Sequence, residues 1–170
     1  MSNIPISSLP LAIALDGTEQ IPLVQGGTTK RSTASAIAGT VGSQLAGAIE
    51  FLIDGSTSVI TTGSKGYLTV PFNCTVTKAV LLGDIVGSIV VDVWKCTYAQ
   101  FDAGATHPVI GDSITAGTPP TITAATKSVD AALASWVVTL LEDDILGFTV
   151  LSCTSIKRVT LSLSLDRVLT

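Results

Sequence analysis

The segment at residues 111–117 (GDSITAG) has the residue types of a nucleophilic site. A serine becomes a nucleophile when a histidine within hydrogen-bond reach takes its proton and an acid orients that histidine. Ser113 has Asp112 as a neighbour, and His107 is the only histidine of the chain. The chemistry of such a group would be acyl transfer.

The same segment resembles the nucleophile block of the GDS-type (SGNH) esterases. In that family the block lies near the N-terminus, after a buried strand, and a D-x-x-H motif follows late in the chain. Here the block begins two-thirds along the sequence and His107 precedes Ser113. We therefore predict that the segment is a polar loop between strands and that the chain is not an enzyme. A small esterase that uses Ser113 is the alternative.

Other polar groups are too few or too scattered for a metal or cofactor site. One histidine cannot form a multi-histidine site, and no glycine-rich phosphate loop is present. Adjacent acids at Glu142, Asp143 and Asp144 predict a turn, with binding of a hard cation as the alternative. Three widely spaced cysteines form no metal clip or disulfide framework: Cys74, Cys96 and Cys153. We predict no metal and no cofactor.

Aromatic side chains could instead bind sugar rings. Trp94 and Trp136 lie in strongly apolar runs, which favours packing in the core. Tyr98, Phe101 and His107 lie in a long loop between residues 96 and 120. Because loops on a rigid β framework often carry recognition, these three residues are the candidates for an exposed binding edge, with a host-surface glycan as ligand. A free carbohydrate-binding module is a further alternative.

The amino-acid composition limits the classes of partner that the chain is expected to bind. The 170 residues are 46% hydrophobic and only 13% charged, with a formal net charge of −4. A chain of this composition either buries part of its apolar surface in an oligomer or has many small polar residues on its surface. Its few scattered basic residues predict no nucleic-acid partner. Residues 32–49 are mostly Ala, Gly, Ser and Thr, too weakly apolar to predict membrane insertion. The first residues lack the basic and apolar regions of a targeting segment.

The first 55 residues divide into two zones. Residues 1–31 are interrupted by prolines and glycines and predict an extended arm, with a hairpin turn at Asp16 and Gly17. In residues 32–55, Ile37, Val41 and Ile49 belong to a four-residue repeat that predicts a helix. Several glycines weaken that helix, so an Ala/Gly-rich linker is the alternative.

Residues 56–170 alternate between short apolar runs and turn residues. At residues 158–165, Arg, Thr and Ser alternate with Val and Leu, the pattern of a strand with one buried face. The other predicted strands are residues 64–72, 76–82, 88–94, 135–141 and 145–151. Short strands without convincing helices between them predict a mainly β fold with an antiparallel β-sandwich.

The N-terminal zone resembles an element that opens many tail, fibre and other virion proteins of tailed bacteriophages. The matching segments are ISSLP (6–10), LDGTEQIPLVQGGTTK (15–30) and SAIA (35–38). The resemblance implies that this arm docks on the virion. The residues that carry the docking role by this resemblance are Leu9, Pro10, Gly17, Thr18, Glu19, Ile21, Pro22, Val24 and Gln25.

The second half resembles a jelly-roll-like β-sandwich found near the ends of phage fibre-like proteins. Its matching segments are GSKGYLTVP (63–71), GSIVVDVWK (87–95), DSIT (112–115), SW (135–136) and RVTLSL (158–163). The resemblance implies a homotrimer assembled in the host cytoplasm into a virion, with capsid, neck or tail proteins as partners. Long fibres have shaft repeats between these two parts. Only a short connector is present here, which favours a short fibre or a decoration protein.

Overall fold

A computed structural model describes residues 16–42, 46–102 and 107–168. The chain forms two compact units, residues 1–44 and 45–170. The predicted docking residues Leu9 and Pro10 lie outside the described residues.

The N-terminal unit contains a two-stranded antiparallel hairpin and a short helix. The elements are β1 (Gln20–Gln25), β2 (Thr28–Thr33) and α1 (Ala34–Gly42). Gly26 and Gly27 form the hairpin turn with φ of 62° and 75°, the left-handed conformation that a two-residue loop of this kind requires. This turn lies ten residues beyond the predicted one at Asp16 and Gly17. The apolar run at residues 9–15, which the predicted hairpin needs, lies outside the described residues.

The second unit, here called the β domain, consists almost entirely of strands. Its elements are β3 (Ala46–Asp54), β4 (Gly63–Thr69), β5 (Cys74–Cys96), the one-turn helix α2 (Tyr98–Phe101), a 3-10 turn (Ile110–Asp112), β6 (Thr121–Asp130), β7 (Thr139–Leu140), β8 (Ile145–Thr154) and β9 (Arg158–Arg167). All strand pairs are antiparallel. The predicted mainly β, antiparallel fold is confirmed.

β5 is the strand around which the sheet curls. Residues 74–83 of β5 pair with β9, and residues 88–96 pair with β8. β6 pairs with both halves along the other edge of β5, and its register shifts between Leu82 and Gly87. The order β3-β9-β5-β8-β4 therefore bends through residues 83–87 into a half-barrel whose two halves face each other.

The core lies between these two halves. Phe51 of β3 stacks on Phe148 of β8, with ring centroids 4.2 Å apart, although the two strands lie in different halves of the sheet. Alternating residues of β9 are buried, as predicted from their period of two: Val159, Leu161, Leu163 and Leu165. The apolar face of each half thus covers that of the other.

The boundary of the β domain differs from the predicted one. Residues 32–55 were predicted to form an Ala/Gly-rich helical connector or linker, but α1 ends at Gly42 and β3 pairs with β9 from Ala46 to Asp54. Ile49 and Ile53 are buried in the core. Because Ile49, Phe51 and Ile53 also alternate with polar or exposed residues, the pattern fits a strand once β9 is available as a partner. The domain begins near residue 45 and not at residue 56.

Replacing Gly87 by alanine is expected to lower the free energy of unfolding by about 2–3 kcal/mol. A Cβ atom here would lie 2.5 Å from the backbone oxygen of Thr154 and 2.7 Å from Cγ1 of Ile156. The bend of β5 must then shift to relieve the overlap. Urea denaturation measures the loss. Gly111→Ala is the matched control, because a Cβ atom at Gly111 meets nothing within 4 Å; equal effects of the two substitutions would contradict the close packing at the bend.

Candidate functional site

The chain between β5 and β6 carries the three residues predicted to form a recognition loop. α2 begins after Thr97, whose Oγ1 accepts a hydrogen bond from the backbone N–H of Gln100 (3.3 Å). Gln100 Oε1 accepts one from the backbone N–H of Thr97 (2.9 Å). This reciprocal capping box fixes the first turn of the segment. Phe101 is the last residue of α2, so the capping box also fixes its position.

Two of the three predicted residues meet in an aromatic cluster with a third ring from β4. The ring centroids of Phe101 and His107 lie 4.4 Å apart. Tyr67 lies 5.0 Å from Phe101 and 5.1 Å from His107. Tyr98 is 68% exposed and stays outside this cluster. Sequence reasoning missed Tyr67, because the pattern of β4 gives no indication of which loop packs on it.

A glycine in β8 makes room for the cluster. A Cβ atom at Gly147 would lie 3.1 Å from Cε1 of Tyr67 and 3.5 Å from Cγ of Pro108. Pro108 is buried and directly follows His107. The absence of a side chain at Gly147 therefore lets both Tyr67 and the returning loop pack onto the sheet.

Beside the cluster lies a cleft of about 250 Å³ lined by Cys96, Gln100, His107, Val109 and Asp112. Burial, and then the carboxylates of Asp112 and Asp144, raise the pKa of the Cys96 thiol, so the thiol stays protonated at neutral pH. Asp112 Oδ2 accepts a hydrogen bond from the backbone N–H of Val109 (2.9 Å). An imidazole, an amide and a carboxylate next to aromatic rings suit a small polyhydroxylated ligand.

Ser113, the nucleophile of the esterase alternative, contacts an aspartate and a threonine. Its hydroxyl donates to Asp92 Oδ1 (2.9 Å) and lies 3.0 Å from Oγ1 of Thr115. Neither contact is a histidine, the base that most often activates a serine. The ring of His107 packs in the aromatic cluster, and no hydrogen bond joins it to Ser113 in the part of the chain that the structure describes.

Asp92 is the acceptor at the centre of this buried network. Only 4% exposed, it also accepts from Oγ1 of Thr115 (2.7 Å), the indole N–H of Trp94 (2.8 Å) and the backbone N–H of Val93 (2.8 Å). With Ser113, four donors thus converge on one carboxylate. The network, which includes Ser113, ties β5 to the segment after the 3-10 turn.

The acidic segment at residues 142–144 is a turn in which one acid is buried. Asp144 is 3% exposed and forms a 2.8 Å ion pair with Lys95. Its Oδ2 also accepts from the backbone N–H of Leu141 (2.9 Å). Glu142 and Asp143 are exposed. The described residues contain no group of three or more His, Cys, Asp or Glu side chains that could hold a metal ion.

Three of the predicted docking residues, Gly17, Thr18 and Glu19, lie in a hydrogen-bonded turn. Glu19 accepts from the backbone N–H groups of Asp16 (2.7 Å) and Gly17 (3.0 Å). Thr18 donates to Asp16 Oδ1 from its hydroxyl (2.6 Å), and this contact holds the pKa of Asp16 below its usual value. The carbonyl groups of Gly17 and Glu19 accept from the first residues of α1. Gly17, Thr18 and Glu19 therefore fix the start of the hairpin against α1.

The remaining arm residues lie on β1. Val24 is 72% exposed and Ile21 is 37% exposed. Pro22 and Gln25 are exposed as well, and Gln25 Oε1 accepts weakly from Lys30 across the hairpin (3.4 Å). No side chain described between residues 16 and 39 is buried. The hairpin thus has no core of its own among the described residues.

Comparison with known proteins gives no assignment. No protein-family model matches the sequence, and no curated protein matches it significantly. Among the described residues, no helix is both long and apolar enough to span a membrane.

Proposed function

We propose that this chain is a non-enzymatic structural component of a tailed-phage virion, either a short fibre or a decoration protein. The arm docks on a capsid, neck or tail protein. The β domain faces outward, where it stabilises the particle or contacts the host surface.

The observation that carries this proposal is the exposure of the hairpin's side chains, none of which is buried among the described residues 16–39. An isolated two-stranded hairpin is at best marginally stable in water, yet β1 and β2 present exposed side chains on both faces, including Val24 at 72% exposure. Such an element gains its stability when its apolar side chains are buried on a partner. The resemblance of the same residues to phage attachment elements supports a virion protein as that partner.

The loop between β5 and β6 supports the outward role of the β domain. The cluster of Tyr67, Phe101 and His107 borders the cleft, and His107 is exposed. Aromatic faces beside polar groups suit the pyranose rings of a host-surface glycan. The hydrogen bond from Ser113 to Asp92 supports a non-enzymatic role.

We expect the full-length chain to co-purify with intact phage particles through a density gradient, and residues 45–170 alone to remain unbound. Val24→Asp in the full-length chain is expected to reduce incorporation at least tenfold, because a charge would have to be buried at the docking surface. Quantitative mass spectrometry of the particle band measures the copy number.

Val109→Asp is the matched control, since Val109 is also an exposed aliphatic residue (55%) but lies in the β domain. Its incorporation should equal that of the unmodified chain. Circular dichroism must show that residues 45–170 melt as a folded domain. Incorporation of the truncated chain at the full-length level would refute docking by the arm.

A further inference from the structure

The cleft beside the aromatic cluster contains an acid and no base among the residues that the structure describes there. Asp112 is the one carboxylic acid among its lining residues. The sequence has no lysine or arginine from residue 96 to residue 126. Lys95, directly before this stretch, donates to Asp144 at 2.8 Å, so its charge is already compensated. The cleft therefore favours hydrogen-bond donors and disfavours anions.

Asp112 is held in place through one carboxylate oxygen and offers the other. Its Oδ2 accepts a hydrogen bond from the backbone N–H of Val109 (2.9 Å). In the part of the chain that the structure describes, Oδ1 accepts no hydrogen bond, and both salt bridges involve other residues. The two oxygens of a carboxylate can together accept about four hydrogen bonds. Asp112 can therefore accept from a ligand without losing the contact that orients it.

His107 and Val109 add a polar ring and an apolar surface to the cleft. The imidazole of His107 packs on Phe101 at 4.4 Å and on Tyr67 at 5.1 Å, and the residue remains exposed. Its ring nitrogens form no hydrogen bond with another described residue. Val109 is 55% exposed. A fixed carboxylate, an available imidazole and an apolar wall are the mixture of groups found in small-molecule sites.

We propose that this cleft binds a single uncharged sugar ring and excludes acidic sugars. Adjacent hydroxyl groups of the ring donate to Asp112, a ring nitrogen of His107 forms a further hydrogen bond, and the C–H face of the sugar lies against Val109. The inference rests on the proposed contact of the β domain with a host-surface glycan, and it narrows that glycan to one that presents a neutral sugar residue. Asp112 is the residue that determines this specificity.

The size and the charge of the cleft both support a neutral monosaccharide residue. Its volume of about 250 Å³ is below the roughly 300–1,000 Å³ of pockets that enclose drug-sized ligands. One pyranose ring fits such a space, and a longer glycan continues outside it. A sugar carboxylate in the cleft would lie beside Asp112 with no lysine or arginine of this loop to neutralise the pair. Repulsion between like charges of this kind rejects a wrong ligand.

The test is saturation-transfer difference NMR on the full-length chain, followed by titration of each sugar that binds. The probes are methyl glucoside, methyl galactoside and methyl mannoside, each compared with the uronide of the same configuration at pH 8, where imidazole side chains are ordinarily neutral. We expect at least one neutral glycoside to bind at least about tenfold more tightly than its uronide. The methyl ester of that uronide should bind like the neutral glycoside, because the ester removes the charge and keeps the ring.

Asp112→Asn should weaken binding of the neutral glycoside about tenfold, because a charged acceptor forms stronger hydrogen bonds than an amide does. It should also bring the affinity for the uronide to within about threefold of that for the glycoside, since the repelling charge is gone. Asp166→Asn removes the same charge at an exposed position near the end of β9 and should change neither affinity. Circular dichroism checks that each variant is folded. If Asp112→Asn does not fold, the ligand series on the unmodified chain decides alone.

Three results would overturn the inference: no binding of any of the three neutral glycosides, a uronide that binds as tightly as its neutral counterpart, or unchanged affinities in a folded Asp112→Asn chain. The virion role is tested separately by incorporation into particles. A chain that joins phage particles but binds none of these sugars would contradict this inference alone. A chain that binds a neutral glycoside but does not join particles would contradict the virion role and leave the cleft as a sugar site.

Discussion

Asp92→Ala is expected to lower the free energy of unfolding of the β domain by about 3–5 kcal/mol, a large share of the total stability of a domain. Asp92 accepts hydrogen bonds from two hydroxyl groups, one indole and one backbone N–H, and it is 4% exposed. Alanine leaves all four donors without their acceptor. A buried donor without a partner loses the hydration that it had in the unfolded chain.

Urea denaturation followed by tryptophan fluorescence measures this loss, because Trp94 donates directly to Asp92. Asp166→Ala is the control, since Asp166 is an exposed residue near the end of β9. Its effect should stay within about 0.5 kcal/mol. An Asp92→Ala chain as stable as the control chain would mean that the network does not hold the segment after the 3-10 turn to β5.

Phe148→Ala is expected to cost a similar amount, about 3–5 kcal/mol. Phe148 is fully buried, and its ring stacks on Phe51 at a centroid distance of 4.2 Å and an interplanar angle of 7°. The substitution leaves a cavity between the two halves of the sheet. It also removes the aromatic contact, which adds to the loss of buried apolar area.

The comparison variant for Phe148→Ala is Phe72→Ala, measured by the same denaturation experiment. Phe72 is only partly buried, and its ring lies under the guanidinium group of Arg167 at 5.0 Å. We expect a loss of about 1–2 kcal/mol there. If both substitutions cost the same, the stacked pair would not be the main contact between the two halves.

The alternation of polar and apolar residues predicted much of the sheet. β9 and β8 occur where the pattern placed them, and β5 joins two predicted strands, residues 76–82 and 88–94, into one. The intervening Gly83 and Asp84 predict a turn locally, but Gly83 pairs with Val159 of β9, and Asp84 Oδ1 accepts hydrogen bonds from the backbone N–H groups of Lys157 and Arg158. These contacts with the β8–β9 segment outweigh the local turn preference.

β6 was not predicted, and the strand predicted at residues 135–141 is shorter in the structure, for different reasons. β6 is rich in Ala and Thr and has few large apolar residues, so its pattern resembles a polar loop. The predicted strand at residues 135–141 shortens to Thr139–Leu140. Before it, Leu133 and Trp136 are buried through a turn, with Trp136 donating its indole N–H to the carbonyl of Thr118. Leu133 and Trp136 are therefore buried because they anchor a loop, and not because they belong to a strand.

The candidate site was predicted in part. The position of Phe101 and His107 in one loop indicated that they could act together, and their rings do meet. Tyr67, Gly147 and the acceptor role of Asp92 depend on contacts between residues far apart in sequence. An aspartate within the apolar run of residues 87–95 is the one local signal that could have indicated a buried network, because such a carboxylate needs donors.

The position of β9 has a consequence for biosynthesis. β9 is the last strand of the β domain, yet it lies between β5 and β3, the first strand of the domain, and pairs Ala46 with Asp166. Until β9 has been synthesised, β3 and the first half of β5 each lack a neighbour on one edge. Contacts of such long sequence separation make folding slow. The β domain therefore completes its fold only once β9 is available, and a chain shortened by β9 would expose the edges that promote aggregation.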